Sequence, residues 1–230
     1  MLLSPCIAVT MDVPPFRLSG TVYGALLNHR TALEALGSAV NEPPYKEAPR
    51  APVLYIKPRN TLAADGEPIA VPPGVGALEI GASLGVVIGR PSCRLPEDRA
   101  LESVAGYLIL NDVSVPHPSY YRPSIPSKAR DGFCPLGPRV TPRGALANPD
   151  ALSIRVSVDG KLEQAATTSQ LVRPVAKLLA DVTDFMTLLP GDVLAVGVAS
   201  PAPRVRAGQR ARIEIDGLGS LENPFVEGAS

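Results

Sequence analysis

The sequence is poor in the residues that build metal knuckles, disulfide frameworks and nucleic-acid surfaces. Its 230 residues include three cysteines, two histidines and no tryptophan. Cys6, Cys93 and Cys134 lie far apart and form no Cys-x-x-Cys pair, which argues against a zinc knuckle and against a disulfide framework. Lysine plus arginine and aspartate plus glutamate both number 22, so no basic excess is available for a polyphosphate backbone. We therefore expect free thiols and no nucleic-acid partner.

Long apolar runs are missing as well. No segment approaches about 18 uninterrupted apolar residues, so we expect no membrane span. Residues 1–16 lack a basic leader and contain three prolines, a composition unlike that of a secretory signal peptide. These features predict a cytoplasmic protein.

The 26 prolines and 20 glycines divide the chain into short, β-branched segments that suit strands. Asp159-Gly160 predicts a two-residue hairpin, because both residues tolerate positive φ angles. Helical spacing is limited to 31–36, 96–104 and 172–188. The strands are predicted at 21–28, 53–57, 78–89, 106–113, 152–158, 192–198 and 212–215. The pattern indicates a β-rich α+β fold, with one domain over 20–226 and peripheral tails at 1–19 and 227–230.

Residues 111–137 concentrate charge in a chain of which only 19% is charged. Between prolines and glycines, this segment contains Asp112, Arg122, Lys128, Arg130 and Asp131, together with two tyrosines. Binding and catalytic residues are frequent on loops of this kind. The segment is therefore predicted to contribute a functional site.

The chain resembles the fumarylacetoacetate hydrolase family. The resemblance rests on seven motifs in the family's order: GTVYGALLNHR, APVLYIKPRNTL, GASLGVVIGR, VAGYLILNDVS, YRPSIPSKARDGFCPLGP, DFMTLLPGDVLAVG and LGSLENP. Within the family, the chain is similar to the N-terminal half, or separate N-terminal subunit, of the isomerase/decarboxylases of 4-hydroxyphenylacetate degradation. The resemblance implies a mixed β-roll, the fold of the fumarylacetoacetase C-terminal domain, with few short helices.

The resemblance also implies a divalent cation, which is magnesium, calcium or manganese in active members. Two glutamates at i and i+2 of one strand and an aspartate from a later strand hold it, since alternate strand residues face the same side and hard cations prefer anionic oxygen. The glutamate positions correspond to Gly81 and Ser83, whereas the aspartate is retained as Asp112. Glu79 lies about 13 Å from the Ser83 position and is interpreted as a rim charge. We expect weak metal binding or none.

A histidine that activates or orients water in hydrolase and decarboxylase members is replaced here. Ala32 stands at its position, so hydrolytic C–C cleavage is not expected. His29 could act as an acid or base near neutral pH, or could be a structural hydrogen-bonding residue. His117, between two prolines, is interpreted as loop surface.

The resemblance leaves a cationic, proton-handling cluster near the substrate. Lysine can stabilise a developing enolate, and the planar fork of arginine suits a carboxylate. The alternative is a salt-bridged turn formed by Lys128, Arg130 and Asp131, which would only order the loop. The predicted catalytic residues are Lys128, Asp131 and His29, and the predicted substrate-binding residues are Lys57, Arg59, Arg122, Arg130 and Gly197.

Two hypotheses about function follow from the resemblance. In the first, the chain decarboxylates 5-oxopent-3-ene-1,2,5-tricarboxylate, or isomerises 2-hydroxyhepta-2,4-diene-1,7-dioate, through a dienolate that Lys128 stabilises. In the second, the chain is a degenerate, non-catalytic subunit that pairs with a metal-bearing C-terminal-type homologue. An acylpyruvate-type hydrolase is disfavoured by Gly81, Ser83 and Ala32 together. In either case we expect a homo-oligomer or a hetero-oligomer.

Overall fold

Two β-sheets contain most of the strands in the computed structural model, which describes residues 20–117 and 124–229. The strands are β1 (Val22–Leu26), β2 (Val53–Lys57), β3 (Leu62–Ala63), β4 (Ile69–Val71), β5 (Leu78–Glu79), β6 (Ala82–Ile88), β7 (Val104–Asn111), β8 (Cys134–Pro135), β9 (Thr141–Pro142), β10 (Ser153–Val158), β11 (Lys161–Thr167), β12 (Val193–Ala195), β13 (Arg204–Val205), β14 (Arg210–Ile215) and β15 (Gly219–Glu227). The helices are α1 (Arg30–Glu34), α2 (Ile125–Lys128) and α3 (Val175–Phe185). Short 3-10 turns lie at Gly37–Asn41, Arg59–Thr61, Glu97–Ser103, Arg143–Ala145 and Thr168–Gln170. The β-rich α+β fold with few short helices is confirmed.

The larger sheet has the strand order β2-β1-β12-β6-β7-β9, and the smaller has the order β11-β10-β14-β15-β4. Both are mixed, because β1 runs parallel to β12 and β15 runs parallel to β4 while the other pairs are antiparallel. Two further pairs, β13 with β5 and β3 with β8, lie outside these sheets. The pairing of β5 with β13 is the one that shapes the site.

Strand β6 runs through the interior, and all seven of its residues are buried. Leu84, Val86 and Ile88 pack into the main core cluster, whereas Val87 points to the opposite face and packs into a second cluster with Leu108. Successive strand residues face opposite sides, so a strand that is buried at every position must be covered on both faces. The larger sheet is therefore an internal layer, and its strand ends can hold side chains away from water.

The longest helix and the tightest turn agree with the sequence prediction. In α3 the buried residues Val175, Leu178, Leu179 and Val182 recur at helical spacing and cover the core. The hairpin between β10 and β11 turns at Asp159-Gly160, whose φ angles are +49° and +79°. Two successive positive φ angles match the right-handed twist of the paired strands.

Other boundaries differ from the prediction. The predicted strand 78–89 is divided into β5 and β6, because Glu79 pairs with β13 and forms a bridge with Ser114, while β6 pairs with β7 and β12. The predicted helix 96–104 is a 3-10 turn that leads into β7. Strand β15 was not predicted, and it extends to Glu227, one residue beyond the predicted domain boundary.

Two of the three cysteines lie in the described part of the chain. Cys93 and Cys134 are both free thiols, as predicted, and Cys6 lies outside the described residues. Among those residues, no helix has the length and apolar character needed to cross a membrane.

Candidate active site

A cavity of about 340 Å³ opens between strand ends of the larger sheet and the segment that follows β12. Its wall is built by the end of β1, by β2, by β5, by the residues after β7, by α1 and α2, and by residues 198–204. The polar and charged residues in this wall are Tyr55, Glu79, Asp112, Ser114, His117, Lys128, Ser200 and Arg204. Segments that are distant in sequence thus bring both signs of charge to one cavity.

Asp112 lies directly after β7 and is 3% exposed. Its Oδ1 is 2.7 Å from Lys57 Nζ, and its Oδ2 is 2.6 Å from Lys128 Nζ. Tyr55 donates its hydroxyl hydrogen to the same Oδ2, at 2.6 Å. Burial acts to raise the pKa of Asp112, but the ammonium groups of Lys128 and Lys57 outweigh burial and hold the pKa well below its usual range. The carboxylate is therefore ionised throughout the neutral pH range.

The ammonium group of Lys57 is committed to the backbone. It donates hydrogen bonds to the carbonyl oxygens of Val113, Lys128 and Phe133, at 2.9, 2.9 and 2.8 Å. An ammonium has three hydrogens, so the contact with Asp112 Oδ1 is ionic and leaves that oxygen without a hydrogen bond. Burial lowers the pKa of Lys57, and the charge of Asp112 opposes part of this effect. Lys57, predicted to bind substrate, instead joins two segments of the site.

Lys128 faces the cavity from the end of α2. Its side chain is 11% exposed, whereas that of Lys57 is 1% exposed. Within the described chain, Asp112 is the one hydrogen-bond acceptor of Lys128 Nζ, so two of its three hydrogens remain for a ligand. The ammonium also lies 4.9 Å from the ring centroid of Tyr55. Lys128 is thus a cation with a fixed position and donors to spare.

Tyr55 completes the cluster from β2. It pairs with Gly24 of β1, and a Cβ at that glycine would overlap the tyrosine ring, so the close approach depends on glycine. Burial, reinforced by the charge of Asp112, raises the pKa of Tyr55 well above its usual value. Tyr55 therefore stays protonated and donates. Tyr55 lies within the motif APVLYIKPRNTL but was not predicted as a site residue, because its role arises from strand pairing.

The buried cluster of Lys57, Lys128 and Asp112 contains two positive charges and one negative charge. Its net charge is +1, and Lys128 is the member of the cluster that presents most of this charge to the cavity. The neighbouring Cys134 does not add a negative charge, because burial raises the pKa of its thiol to about 12. The cavity floor therefore favours an anionic ligand.

Glu79 and Arg204 lie at the rim, directly opposite each other in the pairing of β5 with β13. Arg204 Nη2 is 3.8 Å from Glu79 Oε1, and the two side chains are 66% and 26% exposed. The rim position interpreted for Glu79 agrees with this placement. Arg204 was not predicted, because no motif surrounds it and its strand partner is remote in sequence.

His29, predicted to be catalytic, lies outside the cavity wall and is 2% exposed. Its Nδ1 lies 2.9 Å from Thr31 Oγ1 and its Nε2 lies 3.3 Å from the Thr167 carbonyl oxygen. Burial lowers the pKa of His29, while the contact with Thr167 and the charge of Glu34 act in the opposite direction. Both ring nitrogens have structural partners, so its position supports the alternative structural interpretation. His117 was interpreted as loop surface, but it is half-buried and lines the cavity.

Arg59, Arg130 and Asp131 are not brought to the cavity either. Arg59 is exposed, Arg130 donates through Nε to the Pro126 carbonyl oxygen at 2.7 Å, and Asp131 accepts from Asn60 Nδ2 at 2.7 Å. Among the described residues, no ion pair joins Asp131 to Arg130 or to Lys128. The alternative of a salt-bridged turn is therefore wrong as well. Asp131 orders the loop by accepting a hydrogen bond from the side-chain amide of Asn60.

The last two predicted positions have different outcomes. Gly197 has a φ of +137°, and its N–H lies 3.3 Å from Ser83 Oγ. After Gly197 the chain continues into the cavity wall at residues 198–202. Its contribution is thus to direct the segment that follows it. Arg122 lies outside the described residues, as do the neighbouring tyrosines.

The side chains at the expected metal position do not form a set of cation ligands. A Cβ at Gly81 would overlap the backbone oxygen of Asp112, so a longer side chain does not fit there without a backbone shift. Ser83 is fully buried, and its hydroxyl donates to the Leu84 carbonyl oxygen at 3.3 Å. The oxygens of Asp112 face Lys57, Lys128 and Tyr55, and nowhere in 20–117 or 124–229 do three His, Cys, Asp or Glu residues group as metal ligands. This donor set does not fit a tightly held divalent cation.

Known proteins share both the sequence and the fold. The 4-hydroxyphenylacetate degradation bifunctional isomerase/decarboxylase of Escherichia coli is 40% identical over 210 residues, which are 91% of this chain and 48% of that protein. The chain thus spans about half the length of this relative. The 5-carboxymethyl-2-hydroxymuconate delta-isomerase of Mycobacterium smegmatis has a TM-score of 0.77 and 30% identity, and the match covers 92% of this chain and 80% of that one.

A second solved structure was determined with ligands. The fumarylpyruvate hydrolase of Pseudomonas aeruginosa, in complex with Mn²⁺ and pyruvate, has a TM-score of 0.78 and 27% identity, and the match covers 90% of each chain. The family model for the fumarylacetoacetate (FAA) hydrolase C-terminal domain matches residues 21–226. The chain therefore belongs to the fumarylacetoacetate hydrolase family.

Proposed function

We propose that this chain is a carboxy-lyase and isomerase component of 4-hydroxyphenylacetate (homoprotocatechuate) meta-cleavage catabolism. Its substrates are 5-oxopent-3-ene-1,2,5-tricarboxylate, which it decarboxylates, and 2-hydroxyhepta-2,4-diene-1,7-dioate, which it isomerises. The bifunctional relative supports this assignment by its name. The observation that carries the proposal is the Lys128 ammonium, which is fixed by a buried carboxylate and faces the cavity.

Both reactions move electrons into a conjugated 2-oxo acid and place negative charge on a dienolate oxygen. Lys128 has two hydrogens available for that oxygen, and its ion pair with Asp112 fixes its position before the substrate binds. A prepositioned cation in a partly dehydrated site stabilises developing charge more strongly than water does. The net charge of +1 on the buried cluster is matched to the single charge that a dienolate oxygen develops.

The ammonium of Lys128 is also proposed to donate the proton that the dienolate takes up. Asp112 has a strongly lowered pKa and Tyr55 a strongly raised one, so neither is suited to exchange a proton near neutral pH. Ala32, at the position of the family's histidine, contributes only a methyl group to the cavity wall. The lack of a histidine at this position disfavours attack by an activated water.

This chemistry is proposed to proceed without a tightly held divalent cation. The structural neighbour with Mn²⁺ supports a cation in the family. In this chain, however, Gly81 has no room for a carboxylate side chain and Asp112 already balances two lysines. The charge that a metal would supply to a 2-oxo acid is supplied here by an ammonium.

A second candidate function is supported by the same missing carboxylates. In that case the chain is a non-catalytic subunit that pairs with a metal-bearing homologue, and its cavity is vestigial.

One experiment separates the two candidates. The purified chain, alone and with its C-terminal-type homologue, is given the tricarboxylate, and loss of the conjugated chromophore is followed. The first candidate predicts turnover by the chain alone that survives a chelator and falls by about 10²-fold or more in Lys128→Ala. Arg59→Met, at an exposed residue outside the cavity, is the matched control and should keep full activity.

The alternative outcomes are equally specific. Activity that requires the homologue and is unchanged by Lys128→Ala supports the non-catalytic subunit. No activity in either preparation rejects the assigned pathway. Lys128→Ala also removes a partner from a buried ion pair, so Tyr55→Phe is measured beside it. Tyr55→Phe keeps the ring and removes one hydroxyl donor. We expect it to lose less activity than Lys128→Ala.

A further inference from the structure

We infer that Arg204 binds the second carboxylate of the substrate, and that Glu79 holds Arg204 when the cavity is empty. This inference rests on the proposed function, in which the substrate is a conjugated acid with a carboxylate at each end. It assigns the selection of dicarboxylates to two rim residues that no motif indicated.

The two cations in the described cavity wall lie at different depths. The side chain of Lys128 is 11% exposed and that of Arg204 is 66% exposed, so Lys128 belongs to the floor and Arg204 to the rim. The volume of about 340 Å³ is within the range of small-molecule sites, roughly 300–1,000 Å³. In the proposed arrangement, a ligand with two terminal carboxylates places one at the floor cation and the other at the rim cation.

The backbone of Arg204 is fixed while its guanidinium is loosely held. Arg204 pairs with Glu79 across β13 and β5, and the adjacent Val205 is fully buried. Glu79 is fixed in turn, since its N–H donates to the Ser114 carbonyl oxygen at 2.8 Å and its own carbonyl accepts from Ser114 at 3.2 Å. The rim is thus tied to the segment that contains Asp112.

The contact between the two side chains is long. At 3.8 Å, the Arg204–Glu79 pair is about 1 Å longer than the ion pairs of 2.6 and 2.7 Å on the floor, and in the described chain the guanidinium donates no hydrogen bond. A guanidinium offers five hydrogens in a planar fork, which suits two parallel bonds to a carboxylate. Most of this capacity is unused by the described groups of the protein itself.

The charges around the cavity explain why Glu79 would oppose the binding of a second carboxylate and not assist it. The floor cluster has a net charge of +1, and the rim pair is neutral, so Glu79 cancels the charge that would otherwise attract a second carboxylate. A dicarboxylate must displace Glu79 from Arg204, and the partial exposure of Glu79 gives it water to turn towards. Removing the charge of Glu79 should therefore tighten the binding of dianions.

The test uses two unreactive probes of equal chain length, heptanedioate and heptanoate, and measures their dissociation constants by calorimetry. For Arg204→Met we expect heptanedioate to bind about 10- to 100-fold more weakly, because a charge-assisted hydrogen-bonding partner is lost. In the same variant, the dissociation constant of heptanoate should change by less than about twofold, because heptanoate needs only the floor cation. For Glu79→Gln we expect tighter binding of heptanedioate alone. Arg206→Met removes the same charge from an exposed residue outside this cavity and should change neither constant.

An equal effect of Arg204→Met on both probes, or on neither, would overturn the inference, as would a failure of heptanedioate to bind to the unaltered protein. The binding assay is independent of turnover. Selective binding through Arg204 without any reaction would reject the proposed activity and keep the rim assignment. Turnover whose KM is unchanged in Arg204→Met would reject the rim assignment alone.

Discussion

At the scale of single residues, two lysines contact the same buried aspartate but have different roles. Lys57 donates its three hydrogens to backbone carbonyls from two segments, whereas Lys128 donates one to Asp112. A lysine whose donors are all satisfied by the backbone holds structure, and one with donors facing a cavity can act on a ligand. Residue type alone does not separate these roles.

The first prediction concerns Lys57→Met, which keeps the side-chain length and removes the charge. The variant leaves three buried carbonyl oxygens without their donor and leaves Asp112 with one cation. Breaking a buried ion pair on one side costs about 3–5 kcal/mol. We expect a loss of this size in the free energy of unfolding, measured by urea denaturation.

The control for this prediction is Arg59→Met, two residues away and exposed. Its free energy of unfolding should change by no more than about 0.5 kcal/mol. If Lys57→Met were as stable as this control, the interpretation of Lys57 as a clamp between segments would be wrong.

At the scale of elements, the sequence predicted best those segments whose own residues contain the pattern. Strand β2 coincides with its predicted range, and β10 and α3 lie inside theirs, because each is defined by its own apolar pattern. The break between β5 and β6 was missed, because it is caused by β13, which pairs with Glu79 from far along the chain. Local patterns do not contain such partners.

The same limit explains the site. Asp112 and Lys128 were predicted as site residues because they stand at family motif positions, and the fold brings them together. Arg204 and Tyr55 reach the cavity through strand pairing, which no motif marks. His29 has the right chemistry for an acid or base, but nearby side-chain and backbone partners occupy its ring, a fact that only the fold reveals.

His29 gives the prediction at this scale, since it links the start of α1 to the end of β11. Burial lowers its folded-state pKa below the ordinary value of 6.5, so the unfolded chain binds more protons between these two values. The free energy of unfolding should therefore fall as the pH falls below about 6.5. Urea denaturation at about pH 7.5 and about pH 5.5 measures the difference.

The matched variant is His29→Gln, which keeps hydrogen-bonding capacity and does not titrate. It should reduce the difference between the two pH values, whatever its stability at the higher pH. A difference as large in His29→Gln as in the unaltered chain would show that other groups cause the loss at acidic pH.

At the scale of the whole molecule, the cavity depends on the complete fold. Its wall combines β1, β2, β5 and two helices with segments after β7 and β12, so no isolated fragment contains it. The chain spans about half the length of its bifunctional relative. The negative charge of Asp112 is paired within this chain by Lys57 and Lys128, which leaves the floor with a net charge of +1.

The final prediction is that Mn²⁺ does not stabilise the isolated chain. A cation bound only by the folded state, at a hundred times its Kd, adds about 2.7 kcal/mol. At roughly 2–4 °C per kcal/mol for a chain of this size, the melting temperature would rise by about 5–11 °C. We expect a change below about 1 °C with Mn²⁺ or with a chelator, because two lysines already neutralise Asp112 and Gly81 admits no carboxylate. A rise of several degrees that Asp112→Asn abolishes would show that the aspartate holds a metal, and would replace Lys128 as the electrophile of the site.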